Sequence, residues 1–249
     1  MPGCVQIRFY AELNDFLPAL QRQVTFQDCF KQAGSIKDMI ENLGVPHTEI
    51  DLILINGESV GFSYLVKGDD CISVYPVFES LDVSHVHCKP LRRTGFVLDT
   101  HLGRLAAYLR MLGLDTLYRN DYDDPSLANI SVAEERILLT RDIKLLMRKQ
   151  ITHGYFVRNI QPLQQLLEIL SRFDLFKAQK PFSRCTHCNG EIRAVDKQAI
   201  ASQLLPRTSA FYNEFWQCTQ CQKIYWKGSH YQRMQQFIAA LSGANNMQH

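Results

Sequence analysis

Cys185 and Cys188 make one Cys-x2-Cys turn, and Cys218 and Cys221 make a second, with 29 residues between them. Each such turn aims two sulfurs at one point, and two turns together offer the four thiolates of a tetrahedral metal site. Zn²⁺ is the expected occupant because it accepts four thiolates without redox chemistry. Four protein ligands leave no open position for water, so this zinc is expected to be structural. His187, inside the first turn, and His230, nine residues past the second, are alternative ligands; disulfides or free thiols are alternative fates. The ribbon has few apolar residues, so metal would supply much of its folding energy. Arg184, Arg193, Lys223 and Lys227 accompany Tyr225 and Trp226 here. Basic and aromatic side chains together suit phosphates and stacked bases; the alternative is that Tyr225 and Trp226 pack the ribbon onto its neighbour.

Three aspartates form the other constellation. Asp99 ends GFVLD, Asp124 opens DPSLANISVAEE and Asp142 closes RILLTRD. In a parallel α/β sheet, ligands bind beyond the carboxyl ends of the strands. Carboxylates gathered there repel one another unless a hard cation lies between them, and Mg²⁺ or Mn²⁺ prefers such oxygen ligands. That arrangement can activate water and steady a leaving oxygen in phosphodiester cleavage. The competing reading is structural: all three stand where a helix N-cap is expected, Asp124 especially so because Pro125 follows it. Asp121 or Asp123 could take the place of Asp124, and Glu134 and Glu135 could join. Arg104, Arg110 and Arg141 could hold a phosphate or simply face solvent.

These residues need elements to position them. Residues 1–80 read as two strands, a helix over SIKDMIENLG with Ser35 as cap and Gly44 as stop, then two more strands with an Asn56-Gly57 turn. That order is a β-grasp, ubiquitin-like fold. Residues 81–95 have no clear period and read as a linker. Residues 96–178 alternate strand and helix, which implies a parallel sheet with helices on both faces. Residues 182–242 hold the cysteine pairs and a final amphipathic helix. The fold class is α/β in three parts.

Charge is unevenly spread. Residues 1–90 carry 6 Lys/Arg against 12 Asp/Glu, residues 91–180 carry 14 against 10, and residues 181–249 carry 7 against 3. The basic rear is compatible with a polyanionic partner, or with a solvated surface. No stretch reaches the ~18 apolar residues of a membrane span, and the amino terminus lacks a signal-peptide pattern. A soluble, cytoplasmic protein is expected, with Cys4, Cys29, Cys71 and Cys88 as plain thiols.

FVLDTHLGRLAAYLRMLGLDT, ILLTRDIKLL, PFSRCTHCNGEI and CTQCQKIYWKGSHYQRM, in that order and spacing, resemble the Mut-7 C-terminal RNase family over roughly residues 95–235. Its members join a PIN-like nuclease domain to a zinc ribbon. Residues 1–80 resemble the ubiquitin-like domain that often precedes it, similar to the ThiS and MoaD sulfur carriers. The resemblance implies Mg²⁺- or Mn²⁺-dependent cleavage of RNA, single-stranded or structured. The family's acids fall on Asp99, Asp124 and Asp142. Arg104, Arg141, Lys223 and Lys227 are the expected RNA contacts, and the front domain a possible protein-docking module. Two departures stand out. Ile143 and Lys144 occupy places where PIN domains often carry a further acid, which weakens support for a second metal. The front domain lacks the carboxyl-terminal Gly-Gly that sulfur carriers activate. A non-catalytic RNA- or ribosome-binding adaptor is the alternative reading.

Overall fold

The computed structural model describes residues 2–77 and 94–245. The expected linker lies almost wholly outside them, as does Cys88.

The front sheet begins with β1 (Gly3–Phe9), which pairs antiparallel with β2 (Phe26–Phe30). α1 (Ile36–Asn42) follows, and the Ser35 hydroxyl accepts the Asp38 N–H at its start. β3 (Ile50–Ile55), β4 (Glu58–Ser59) and β5 (Cys71–Pro76) complete a sheet of order β2-β1-β5-β3-β4. β1 and β5 run parallel; the other pairs are antiparallel. This is the β-grasp arrangement expected from the strand–helix–strand order. Alternation on β1 turns Val5, Ile7 and Phe9 inward against Ile36 and Ile40 of the helix. Asn56 and Gly57 take φ of 52° and 89°, the left-handed pair that closes a tight hairpin between β3 and β4.

Cys4 and Cys29 are not the free thiols expected. They face each other in register across β1 and β2 and form a disulfide. The cysteine count therefore no longer argues for a reducing compartment. Cys71 is free and exposed.

The central part contributes β6 (Phe96–Leu98), α2 (Gly103–Met111), β7 (Thr116–Leu117), α3 (Asp124–Ala133), β8 (Ile137–Thr140), α4 (Ile143–Leu146), β9 (Gly154–Phe156) and α5 (Pro162–Arg172). The strand order is β7-β6-β8-β9, with β8 and β9 parallel and Thr140 opposite Phe156. Every residue of β6 and β8 is buried, as strands covered on both faces must be. The last part holds β10 (Ile192–Val195), β11 (Phe215–Cys218) and β12 (Ile224–Trp226) in one antiparallel sheet. Between β10 and β11 lie a 3-10 turn, Gln198–Gln203, and α6 (Pro206–Phe211). α7 (Ser229–Asn245) ends the described chain. Among the described residues no helix is long and apolar enough to cross a membrane.

The chain forms two compact units. One is Met1–Val97 with Asp123–Phe156; the other is Leu98–Tyr122 with Val157–His249. In the second, Gly113 ends the turn after α2 with φ of 83°. The Lys180 and Phe182 N–H groups bond to the Leu112 and Met111 carbonyls, which brings that chain over the glycine. A Cβ at Gly113 would lie 2.1 Å from the Lys180 carbonyl oxygen. Gly113→Ala is therefore expected to cost about 2 to 4 kcal/mol, from left-handed strain and the clash together. A fall in the denaturant midpoint at unchanged slope would report it.

Candidate functional site

The two cysteine turns close on one point. Cys185, Cys188, Cys218 and Cys221 place their sulfurs within 4.8 Å of one another, with Cys185 to Cys221 at 3.5 Å and Cys188 to Cys218 at 3.4 Å. Four sulfurs bound at ~2.3 Å to one tetrahedral ion stand about 3.8 Å apart, so the set fits a metal ion. His187 and His230 are not members of the cluster. Gly190 makes room for it: a Cβ there would lie 2.9 Å from the Cys218 sulfur.

The sulfur environments differ. Burial pushes the Cys185 thiol up, but the Tyr225 hydroxyl at 3.0 Å and the Cys188 and His187 backbone N–H groups outweigh it and bring it to about 6. Burial holds Cys188 up at about 12. Crowded thiols cannot all ionise by themselves; a cation among them would remove that penalty. Tyr225 is thus tied to the cluster, whereas Trp226 remains 39% exposed. The expected aromatic pair separates into one packing residue and one surface residue.

The first cysteine turn is bolted to the end of α2 and to β7. Arg110, expected on the helix surface, is instead 3% exposed. Its guanidinium donates to the carbonyls of Thr116 (2.9 Å), Tyr118 (3.1 Å), Thr186 (3.3 Å) and His187 (2.7 Å). Those carbonyls occupy it, so the phosphate role considered for it is withdrawn. Burial lowers its pKa from the ordinary arginine value, while the Cys188 and Cys185 sulfurs act the other way. Asn189 adds a second bolt. Its Oδ1 accepts the Thr116 N–H at 3.0 Å, and its Nδ2 donates to Asp115 at 2.8 Å. Arg184 reaches the same Asp115 at 3.4 Å. Arg110 was misplaced from sequence because two of its four acceptors lie 76 and 77 residues away.

The aspartates fall at three element ends. Asp99 follows β6, is 8% exposed, and accepts the Thr100 N–H at 2.6 Å, with His101 Nδ1 3.4 Å from its other oxygen. Asp142 caps α4: Oδ1 accepts the Lys144 N–H at 2.8 Å and the Leu145 N–H at 3.3 Å. Its Oδ2 has no hydrogen-bond or ion-pair partner among the described residues. Cap and metal ligand can therefore coexist in one carboxylate. Asp124 is not the cap expected of it. Asp123 holds that position, accepting the Ser126 N–H at 2.9 Å, and its carbonyl receives the first helical bond from Leu127. Asp124 opens the helix and pairs with Arg148 at 3.0 Å, a residue the sequence reading did not single out. Asp121 is engaged by Arg119 at 2.6 Å, and Glu134 by Arg136 at 2.8 Å. Asp124 and Asp142 belong to one unit, Asp99 to the other.

Of the expected RNA contacts, Arg104 is exposed on α2. The Arg141 guanidinium lies 5.9 Å from the Phe156 ring centroid. Lys223 lies 5.9 Å from the Tyr225 ring centroid. Lys227 stands 4.9 Å from that of Trp216 and pairs with Glu214 at 2.8 Å. Phe211 and Leu205, 79% and 72% exposed, were not foreseen; LLPRTSAF has no apolar period to mark it.

A five-stranded β-grasp sheet, an α/β domain with acids at its strand ends and a four-cysteine ribbon define a modular class of protein. The chain belongs to the Mut7-C family: residues 94–238 match the Mut7-C RNAse domain and residues 3–82 the Mut7-C ubiquitin domain. No curated protein and no solved structure matches it.

Replacing Arg110 by Met keeps the bulk but leaves four carbonyls without their donor. The expected cost is about 3 kcal/mol, as for a broken buried network with a charged donor. Thermal unfolding and the metal content of the purified variant would measure it, with both expected to fall.

Proposed function

We propose that this protein is a ribonuclease that requires Mg²⁺ or Mn²⁺, with Asp99, Asp124 and Asp142 as the metal-holding carboxylates. The observation that carries the reading is local. Within an RNase-family domain, β6 and β8 are neighbours in the strand order, and Asp99 follows the one by one residue and Asp142 the other by two. Asp142 keeps one oxygen uncommitted, and Asp124 is relieved of capping by Asp123. The donor set is all carboxylate oxygen, which suits hard cations. When bound, such an ion supplies an activated water and counter-charge for the leaving oxygen. Arg148 pairs with Asp124 and must give way, or share the carboxylate, when the ion arrives. Arg104, Arg141, Lys223 and Lys227 hold the RNA backbone, and the exposed Trp226 offers a stacking surface. Zn²⁺ in the four-cysteine cluster is structural in this reading. The acidic ubiquitin-like domain offers a face for a protein partner.

One observation favours a second reading. Ile143 and Lys144 stand where a further acid would strengthen the site. An RNA-binding adaptor without turnover would show affinity that falls steeply with salt and no metal-dependent cleavage.

Labelled single-stranded RNA should be cleaved in Mn²⁺ and not in EDTA. Asp99→Asn and Asp142→Asn should each lower kcat by about 100-fold or more, since each removes a charge from the metal site. Asp123→Asn, which preserves a capping side chain, should cleave nearly as well as the parent. Undiminished cleavage by the first two variants would sink the reading. Elemental analysis should find one zinc per chain, lost in Cys218→Ser.

A further inference from the structure

The ubiquitin-like fold and residues 123–156 form a single compact unit, and the contacts that join them converge on β9. That strand is at the edge of its sheet, where backbone groups lack a neighbouring strand. The 3-10 turn His47–Glu49, just before β3, supplies side chains in place of that strand. Its three residues are buried. The Glu49 carboxylate accepts the Phe156 N–H. The His47 Nε2 lies 2.7 Å from the Ile151 carbonyl oxygen, and its Nδ1 2.6 Å from Glu41 Oε1. A carbonyl can only accept, so Nε2 donates; the remaining proton lies between Nδ1 and Glu41. Phe16 meets the Phe156 ring edge-on, at 5.6 Å and 67°. Gly154 allows the approach, since a Cβ there would already touch Thr48 at 3.4 Å and collide with Leu146 at 2.5 Å.

Phe156 is one step from the carboxylate proposed for catalysis. It pairs with Thr140 across β8 and β9. Thr140 Oγ1 accepts the Asp142 N–H at 2.9 Å, and the Arg141 guanidinium lies over the Phe156 ring. The two residues that precede Asp142 are thus referenced to a strand whose outer backbone is gripped by Glu49.

We propose that the ubiquitin-like domain is a built-in positioning element for the nuclease site, and that Glu49, through Phe156, fixes the Thr140–Asp142 segment. The catalytic half of this statement rests on the ribonuclease reading; the structural half does not. A buried carboxylate is costly unless it is hydrogen-bonded, and the Glu49 side chain makes such a bond to the backbone of β9. The domain's missing Gly-Gly tail fits a fold retained for its side chains rather than for its terminus.

The test uses the full chain. In Glu49→Ala, amide exchange at Phe156 and over residues 140–146 should speed up by about 10-fold or more, while peptides of the ribbon stay unchanged. In Mn²⁺, kcat should fall by about 10-fold with KM within about twofold, as for a displaced catalytic group. Glu49→Gln, which keeps an acceptor oxygen, should restore both to within about threefold of the parent. If Glu49→Ala does not fold, Phe16→Leu carries the test, with exchange at the same amides faster by about threefold. Unchanged exchange at residues 140–146 in the folded variant overturns the proposal whether or not RNA is cleaved. Faster exchange with undiminished kcat overturns the positioning role. A parent that cleaves no RNA defeats the ribonuclease reading and the catalytic half with it, and leaves the exchange result to decide the structural half.

Discussion

A guanidinium taken out of water must find acceptors for its donors or the fold cannot keep it. Arg110 finds four, all backbone carbonyls, two from the chain around β7 and two from the first cysteine turn. This one side chain converts two segments distant in sequence into a single rigid corner. Asn189 and Asp115 repeat the connection with neutral and charged partners. The ribbon is therefore part of the same folded unit as α2 and α5 rather than a bead on a tether. α7 extends the same attachment, with Phe237 stacked on Tyr108 of α2 at 5.2 Å and Tyr231 set 4.6 Å from Phe182.

The aspartates illustrate how one chemical group serves two masters. A carboxylate at a strand end is drawn to the N–H groups of the helix that follows, and the same oxygens suit a hard cation. Asp142 divides the labour between its oxygens. At the middle helix the labour is divided between residues, Asp123 taking the cap and Asp124 the ion pair with Arg148. The need to cap a helix does not compete with the proposed chemistry at either place.

What could be read in the sequence was what local spacing determines. The Ser35 cap, the Gly44 stop, the Asn56-Gly57 turn and the two cysteine turns each depend on residues a few positions apart. What could not be read depended on distance or on a choice between equals. Asp123 and Asp124 are identical side chains, and which one caps is decided by where the helix starts. Arg110 looked solvated because two of its four carbonyls lie far along the chain. Cys4 and Cys29 looked unrelated because their meeting requires the register of β1 on β2. Nor does the sequence show that β7 stops after two residues, with the Thr116 and Tyr118 carbonyls taken by Arg110.

The excursion between β10 and β11 buries little beyond Ile200 and is held by Lys197, whose Nζ reaches the Ser209 carbonyl at 2.6 Å. None of its side chains supports a sulfur. The length of this excursion is accordingly a free variable of the architecture. Kindred chains can lengthen, shorten or redecorate that excursion while the tetrahedron stays put, so scanning for such ribbons by a fixed gap would overlook genuine ones.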